Sequence, residues 1–237
     1  MAVPRVLGAL LDVLLPPLCV HCGEPVPAAR PGVCRWCRAT LRPLGAGCRR
    51  CSLPQPDSPA DCGRCRDWPT GLTAVAAVRY AGAAESIAHA LKYRGWTHLA
   101  DLCAAAMADA LGDLAAGLDV IVPVPLHAAR LRERGFNQSA LIAESLSARL
   151  GIPVQTALVR SRATRSQVGL GRAARRRNVE AAFAARASLR AGIGVCLIDD
   201  VATSGATLAA AAEVLVAAGA GRVTAVTFAL ALDGSQR

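Results

Sequence analysis

With 237 residues, 53% hydrophobic and only 19% charged, the chain has room for one ordinary α/β domain of about 150 residues plus a smaller unit, and it is too apolar to be disordered. The formal charge is +10, and residues 127–190 alone carry 13 Arg against 3 Glu, an excess equal to that of the whole chain. So concentrated a charge points to an anionic partner, a polyphosphate or a nucleic acid, with a solvated basic face as the plainer alternative.

At the front, Ala2 to Leu18 is apolar, but Asp12 interrupts the run. Pro16-Pro17 ends it short of the roughly 20 residues a spanning helix needs, and no small-residue cleavage site follows. The expectation is a short amphipathic helix docked on the body, no membrane span and a cytoplasmic protein. Behind it come four C-x-x-C pairs, Cys19/Cys22, Cys34/Cys37, Cys48/Cys51 and Cys62/Cys65, separated by 11, 10 and 10 residues. Two thiolates spaced this way chelate one tetrahedral ion from a tight turn, and a second pair completes a four-cysteine site, so eight cysteines imply two structural Zn²⁺. Disulfides are disfavoured in the cytoplasm, and a redox pair would not recur four times. We assign pairs one and two to one ion and pairs three and four to the other, although spacing alone also fits an interleaved arrangement. Cys103 and Cys196 lie in apolar patterns and are expected to be small buried side chains.

A boundary falls near Trp68-Pro69-Thr70-Gly71, which divides residues 1–68, an N-terminal helix and double zinc ribbon, from an α/β domain over 72–237. Replacing Cys48 should on this reading loosen the ribbons and leave a distant α/β site intact. Within the second unit Leu72–Tyr80 alternates like a strand, Ala83–Arg94 and His98–Leu118 have helical patterns, and Val120–Val124 is a short apolar strand running into Pro125. A helix is predicted over Asn137–Leu150, closed by Gly151, then a strand over Val154–Val159 and an Arg-rich stretch over 160–178. Gly194–Ile198 is a buried strand, Thr207–Ala218 an Ala-rich helix and Val223–Leu230 a last strand. Strands alternating with helices predict an α/β fold with a parallel, Rossmann-like sheet covered on both faces, its ligand at the carboxyl ends of the strands.

The most specific segment runs from Val195 to Thr207. An apolar strand delivers Asp199 and Asp200, and a small, hydroxyl-rich turn of Thr203, Ser204, Gly205, Ala206 and Thr207 opens a helix. Backbone N–H groups at such a helix start, with the positive end of its dipole, bind a phosphate, and the three hydroxyls add donors. Gly205 lets the backbone approach closely. Two carboxylates would repel a phosphate, so their natural partners are the neutral hydroxyls of an attached sugar; a single Asp would suffice if the acids only capped the helix.

This strand, acid pair and Thr203-Ser204-Gly205 loop resemble the type I phosphoribosyltransferase signature, with Ser where the family commonly has a second Thr. The whole chain resembles the ComF family of competence-associated phosphoribosyltransferases through its cysteine ribbon, Val122-Pro123-Val124-Pro125-Leu126, Arg134-Gly135-Phe136-Asn137-Gln138-Ser139, the Arg-rich stretch and the phosphate loop. The resemblance implies binding of phosphoribosyl pyrophosphate with Mg²⁺ in a setting of DNA uptake or use of external DNA, and supplies no acceptor. On that scheme Arg130, Arg132 and Arg134 follow the strand where a diphosphate loop lies, with a basic surface helix as the alternative. Arg165, Gln167, Arg175 and Asn178 belong to a hood that closes over substrate, or equally to a groove for a nucleic-acid backbone. Lys92-Tyr93-Arg94-Gly95 resembles a family element but is explained as readily by a basic helix C-terminus. No catalytic base is assigned. Two other readings remain open: a factor handling single-stranded DNA beside a helicase-like competence protein, and a nucleotide sensor without turnover. Having only eight aromatics weakens a stacking mode for single strands.

Overall fold

In chain order the elements are helix α1 (Arg35–Ala39), strand β1 (Leu72–Arg79), helices α2 (Ala83–Tyr93) and α3 (Leu99–Leu111), strand β2 (Val120–Pro123), helices α4 (Ala128–Arg134) and α5 (Gln138–Leu150), strands β3 (Leu158–Arg160), β4 (Phe183–Ala185) and β5 (Gly194–Ala202), helix α6 (Ala206–Ala217) and strand β6 (Arg222–Leu230). The computed structural model describes residues 16–27, 32–44, 47, 48, 50–53, 62, 68–161 and 182–232. The helix expected before residue 16, Cys65, and the hood candidates Arg165, Gln167, Arg175 and Asn178 lie outside the described residues.

Strands β1, β6, β5 and β2 stand side by side in that order and all pair in parallel. This is the α/β architecture the sequence predicts. Alternation along the strands sorts the core. Cys196, Ile198, Val226 and Phe228 pack towards Ile87, Leu91, Met107 and Ile142 of α2, α3 and α5, whereas Val195, Leu197, Val223 and Ala225 pack towards Leu208 and Leu215 of α6 and Phe183 of β4. With both faces covered, β5 carries no charged or hydroxyl side chain until it reaches Asp199 and Asp200, while β6 buries Thr224 and Thr227. The strand does not stop at Ile198 as expected but continues to Ala202, so both acids sit within its last turn of pairing.

Two further expectations are corrected. The helix predicted over His98–Leu118 ends at Leu111, where Gly112 adopts φ +47°, and continues as a 3₁₀ turn over Gly112–Gly117. The strand predicted over Val154–Val159 is divided. Val154 makes one isolated parallel bridge to Ile121 on the outer edge of the sheet, while Leu158–Arg160 turns away to pair antiparallel with β4, where Leu158 is buried. The segment after β2 forms the basic helix named as the alternative, α4, with His127 Nδ1 accepting from Ala129 N at 3.2 Å and left-handed Gly135 closing it.

The cysteine-bearing front does not stand apart, as the sequence reading assumed. Cys19, Cys34 and Cys37 join the apolar cluster of α2 and α3, and Cys48, Cys51 and Leu53 join the cluster on the opposite face of the sheet. The front also covers the free edge of β1: Ala74 N–H donates to the Arg50 carbonyl at 2.7 Å, Arg79 N–H to the Arg42 carbonyl at 3.0 Å, and Pro43 bridges Val78. A segment with so little apolar surface cannot build its own core and leans on the sheet, and an edge strand gains a cover.

Candidate functional site

Cys19, Cys22, Cys34 and Cys37 bring their sulfurs within 4.8 Å of one another, and Cys48, Cys51 and Cys62 do the same in a second group. The grouping is sequential along the chain. Cys22 and Cys34 Sγ lie 3.7 Å apart and Cys51 and Cys62 Sγ 3.5 Å apart. A tetrahedral ion with Zn–S bonds of about 2.3 Å sets its sulfurs roughly 3.8 Å apart, so both groups fit structural zinc. Burial opposes ionisation of Cys19, yet backbone N–H groups of Cys22, Cys34 and His21 hold its thiol down to about 6, favouring the thiolate that a metal takes.

At its carboxyl end β5 presents its acids to two helices. Asp200, buried, meets Lys92 Nζ from the last turn of α2 at 2.8 Å. Asp199 Oδ1 accepts from Ser139 Oγ at the start of α5, 3.0 Å away, and from the Asp200 backbone N–H at 3.0 Å. Strand and helix geometry explain the set. Asp200 continues the face of Cys196 and Ile198 towards α2, and Ser139 is placed by Asn137, which caps α5 through Ser139 N at 3.1 Å and donates Nδ2 to the Val124 carbonyl at 3.0 Å.

Beyond the acids, Thr203 and Ser204 are half-buried and Gly205, at φ +78°, starts α6 without any side-chain cap. Ser204 Oγ accepts from Ala206 N at 3.4 Å. The start of α6 therefore follows the acid pair after a short turn that carries the hydroxyls of Thr203, Ser204 and Thr207. The basic residues follow from α4 and β3. Arg134 donates to Gln138 Oε1 and lies over the Tyr93 ring at 5.3 Å, and Arg130 is exposed one turn earlier on the same helix. Arg160 stacks over Phe183 at 5.3 Å, and its charge senses both Asp199 and Arg130, so all three share one electrostatic neighbourhood.

Burial first, and then the neighbouring Asp200 charge, push the Asp199 carboxyl up to about 7, against the opposing pull of Lys92, the Asp200 backbone N–H and Ser139. Burial works against the Lys92 ammonium too, but the Asp200 carboxylate outweighs it and holds the lysine above its ordinary value. Burial raises the thiols of Cys103 and Cys196, the latter to about 12, in keeping with inert core positions.

The fold thus brings together Asp199, Asp200 and the turn Thr203–Thr207, with Arg134 and Arg130 on the helix beyond β2. Sequence reasoning missed Lys92, Ser139 and Arg160. The Lys92-Tyr93-Arg94-Gly95 element was the signal available for the first, but a lysine at a helix end reads as dipole compensation until its partner strand is known.

Residues 10–66 match the Double zinc ribbon domain and residues 95–237 the Phosphoribosyl transferase domain. Over 216 residues the chain is 32% identical to DNA utilization protein YhgH of Salmonella typhimurium, covering 88% of this chain and 95% of that protein. It is 31% identical to Competence protein F of Haemophilus influenzae, covering 80% and 86%, and 29% identical to Competence protein ComFC of Bacillus subtilis, covering 79% of each. Among the described residues no helix is long and apolar enough to cross a membrane.

Proposed function

The chain belongs to the phosphoribosyl transferase family, with a double zinc ribbon ahead of that domain, and from this premise we propose that it binds phosphoribosyl pyrophosphate with Mg²⁺ at the end of β5. The observation that carries the reading is the pairing of two restrained carboxylates with a helix start whose N-cap residue has no side chain: Asp199 and Asp200 on one side, Gly205 opening α6 on the other. In this reading the N–H groups at the start of α6 and the hydroxyls of Thr203, Ser204 and Thr207 take the 5-phosphate, with Gly205 and Ala206 leaving the backbone open to it. Asp199 and Asp200 accept from the ribose hydroxyls. Lys92 and Ser139 hold the two acids in position, so that their acceptor oxygens are fixed before the sugar arrives.

Arg134 and Arg130 face the diphosphate, while Arg165, Gln167, Arg175 and Asn178 close over it as a hood. The diphosphate and sugar hydroxyl oxygens would hold Mg²⁺, which supplies charge neutralisation for the departing diphosphate when it is bound. A Zn²⁺ in each cysteine group, the second completed by Cys65, holds the front of the chain together. The names of the relatives, a DNA utilization protein and two competence proteins, support a role in the uptake or use of external DNA.

Calorimetric titration of the full chain with phosphoribosyl pyrophosphate and Mg²⁺ tests the reading. Replacing Asp199 and Asp200 together by Asn keeps shape and removes charge. Each charge-assisted hydrogen bond lost weakens binding by about 1.5–3 kcal/mol, so affinity should fall roughly tenfold or more. Equal affinity in the double Asn protein would overturn it.

A second reading, direct handling of single-stranded DNA, is favoured by one feature of the front. Trp36 on α1 is 69% exposed with Arg35 over its ring at 4.6 Å, an aromatic face with a cation beside it.

A further inference from the structure

We propose that Trp68 is a positioning residue for the phosphate loop, through which the second cysteine group, Cys48, Cys51 and Cys62, sets the conformation of Gly205 and hence the affinity for a sugar phosphate. The proposal rests on the phosphate-binding reading for its ligand and goes beyond it in making the ribbon part of that site. Three observations carry it.

The indole lies directly against the loop. A Cβ built on Gly205 would fall 2.6 Å from Trp68 Cζ2 and 3.3 Å from Cε2, and Gly205 already holds φ +78°. Glycine at this position therefore answers two demands, the left-handed turn and the ring packed on its Cα. The indole is also tied to the cysteine group. Arg50, between Cys48 and Cys51, donates Nη2 to the Trp68 carbonyl at 3.4 Å and the Pro69 carbonyl at 3.5 Å, while its own carbonyl accepts from Ala74 N on β1. Finally, a small cavity lined by Cys51, Trp68, Ala202, Gly205, Leu208 and Thr227 lies beneath the loop. The space gives the loop somewhere to collapse if the ring is withdrawn.

The coupling is a matter of rigid support. The cysteine group fixes the turn containing Arg50, Arg50 anchors the Trp68-Pro69 backbone, and the ring limits the states open to residues 203–207. Phosphate binding by backbone N–H groups needs those groups aimed together, so loosening the ring lowers the fraction of competent loops and affinity in proportion.

The test measures hydrogen exchange of the loop in the full zinc-loaded chain, with and without phosphoribosyl pyrophosphate and Mg²⁺. Trp68→Ala should speed exchange over residues 203–208 by about tenfold, leave α5 and β2 unchanged, and weaken phosphoribosyl pyrophosphate by a similar factor. Trp68→Phe, which restores an aromatic face, should recover most of both. Withdrawing zinc by chelation should speed exchange over residues 203–208 in wild type and add little at those residues in Trp68→Ala, the non-additivity expected of one pathway. Unchanged exchange at 203–208 in Trp68→Ala overturns the proposal, as does acceleration spread equally over α5 and β2. If wild type fails to bind the sugar phosphate, the phosphate-site reading falls, while the loop exchange still decides whether Trp68 positions Gly205.

Discussion

Asp199 is the residue on which two demands conflict. A carboxyl raised to about 7 from 3.8 holds its proton more tightly in the folded chain than in the unfolded one. Its contribution to stability is therefore present below about pH 4 and is lost as pH rises towards 7. A ribose hydroxyl, by contrast, needs the ionised acceptor. Affinity for phosphoribosyl pyrophosphate should thus increase as pH rises through about 7 and level off above it, while Asp199→Asn should gain thermal stability over wild type above pH 7 and not near pH 4. Titrations and melting curves at matched pH check both. Lys92 is the second decisive residue. Lys92→Met leaves the buried Asp200 without its cation, a loss of about 3–5 kcal/mol for a fully buried pair. The Lys92 side chain is 24% exposed, which places the expected cost at or below the low end, about 3 kcal/mol. Denaturant unfolding measures it, and adding Asp200→Asn should recover most of the loss. A double variant no better than the single one would show that the pair does not act as a unit.

At the scale of elements, the site is assembled from ends: the last residues of β5 and α2, the first of α5 and α6. Strand β5 is long and apolar because α2, α3 and α5 cover one face and α6 the other. Its polarity changes only where those covers run out, and there its acids find Lys92 and Ser139. The detour of β3 follows the same logic, since Leu158 is buried where β3 pairs with β4, rather than on an outer edge where Val154 is 37% exposed. Helix α1 has the opposite character. It turns Cys37 inward and leaves Trp36 and Arg35 in solvent, so Trp36→Ala should lower any affinity for oligothymidylate by about 1–3 kcal/mol without altering binding of phosphoribosyl pyrophosphate. Fluorescence anisotropy at several salt concentrations reads this, and a wild-type chain with no affinity for the oligonucleotide would remove the direct DNA-handling reading.

For the molecule as a whole, the front and the sheet form shared cores rather than two independent ones, because cysteines of the first group lie among α2 and α3 and those of the second among β1 and α6. Removing two zinc ions should consequently lower the melting temperature of the entire chain, seen as one transition by both far-ultraviolet circular dichroism and intrinsic fluorescence; two separated transitions would show that the ribbons melt alone. Much of this was legible in the sequence. Four C-x-x-C pairs announce tetrahedral sites by spacing, alternating apolar runs announce a covered parallel sheet, and Asp199-Asp200 followed by Thr203-Ser204-Gly205 announces a phosphate turn, since each of these is a local pattern in which the chemistry and its neighbours are contiguous. What only the tertiary structure decided involves partners far apart along the chain: Lys92 on Asp200, Ser139 on Asp199, Trp68 on Gly205, and the ribbon on the open edge of β1. No periodicity or motif records which helix end will meet which strand end. That choice is made by the packing of α2, α5 and the ribbon onto the two faces of one sheet, where burial forces each polar end to find its partner.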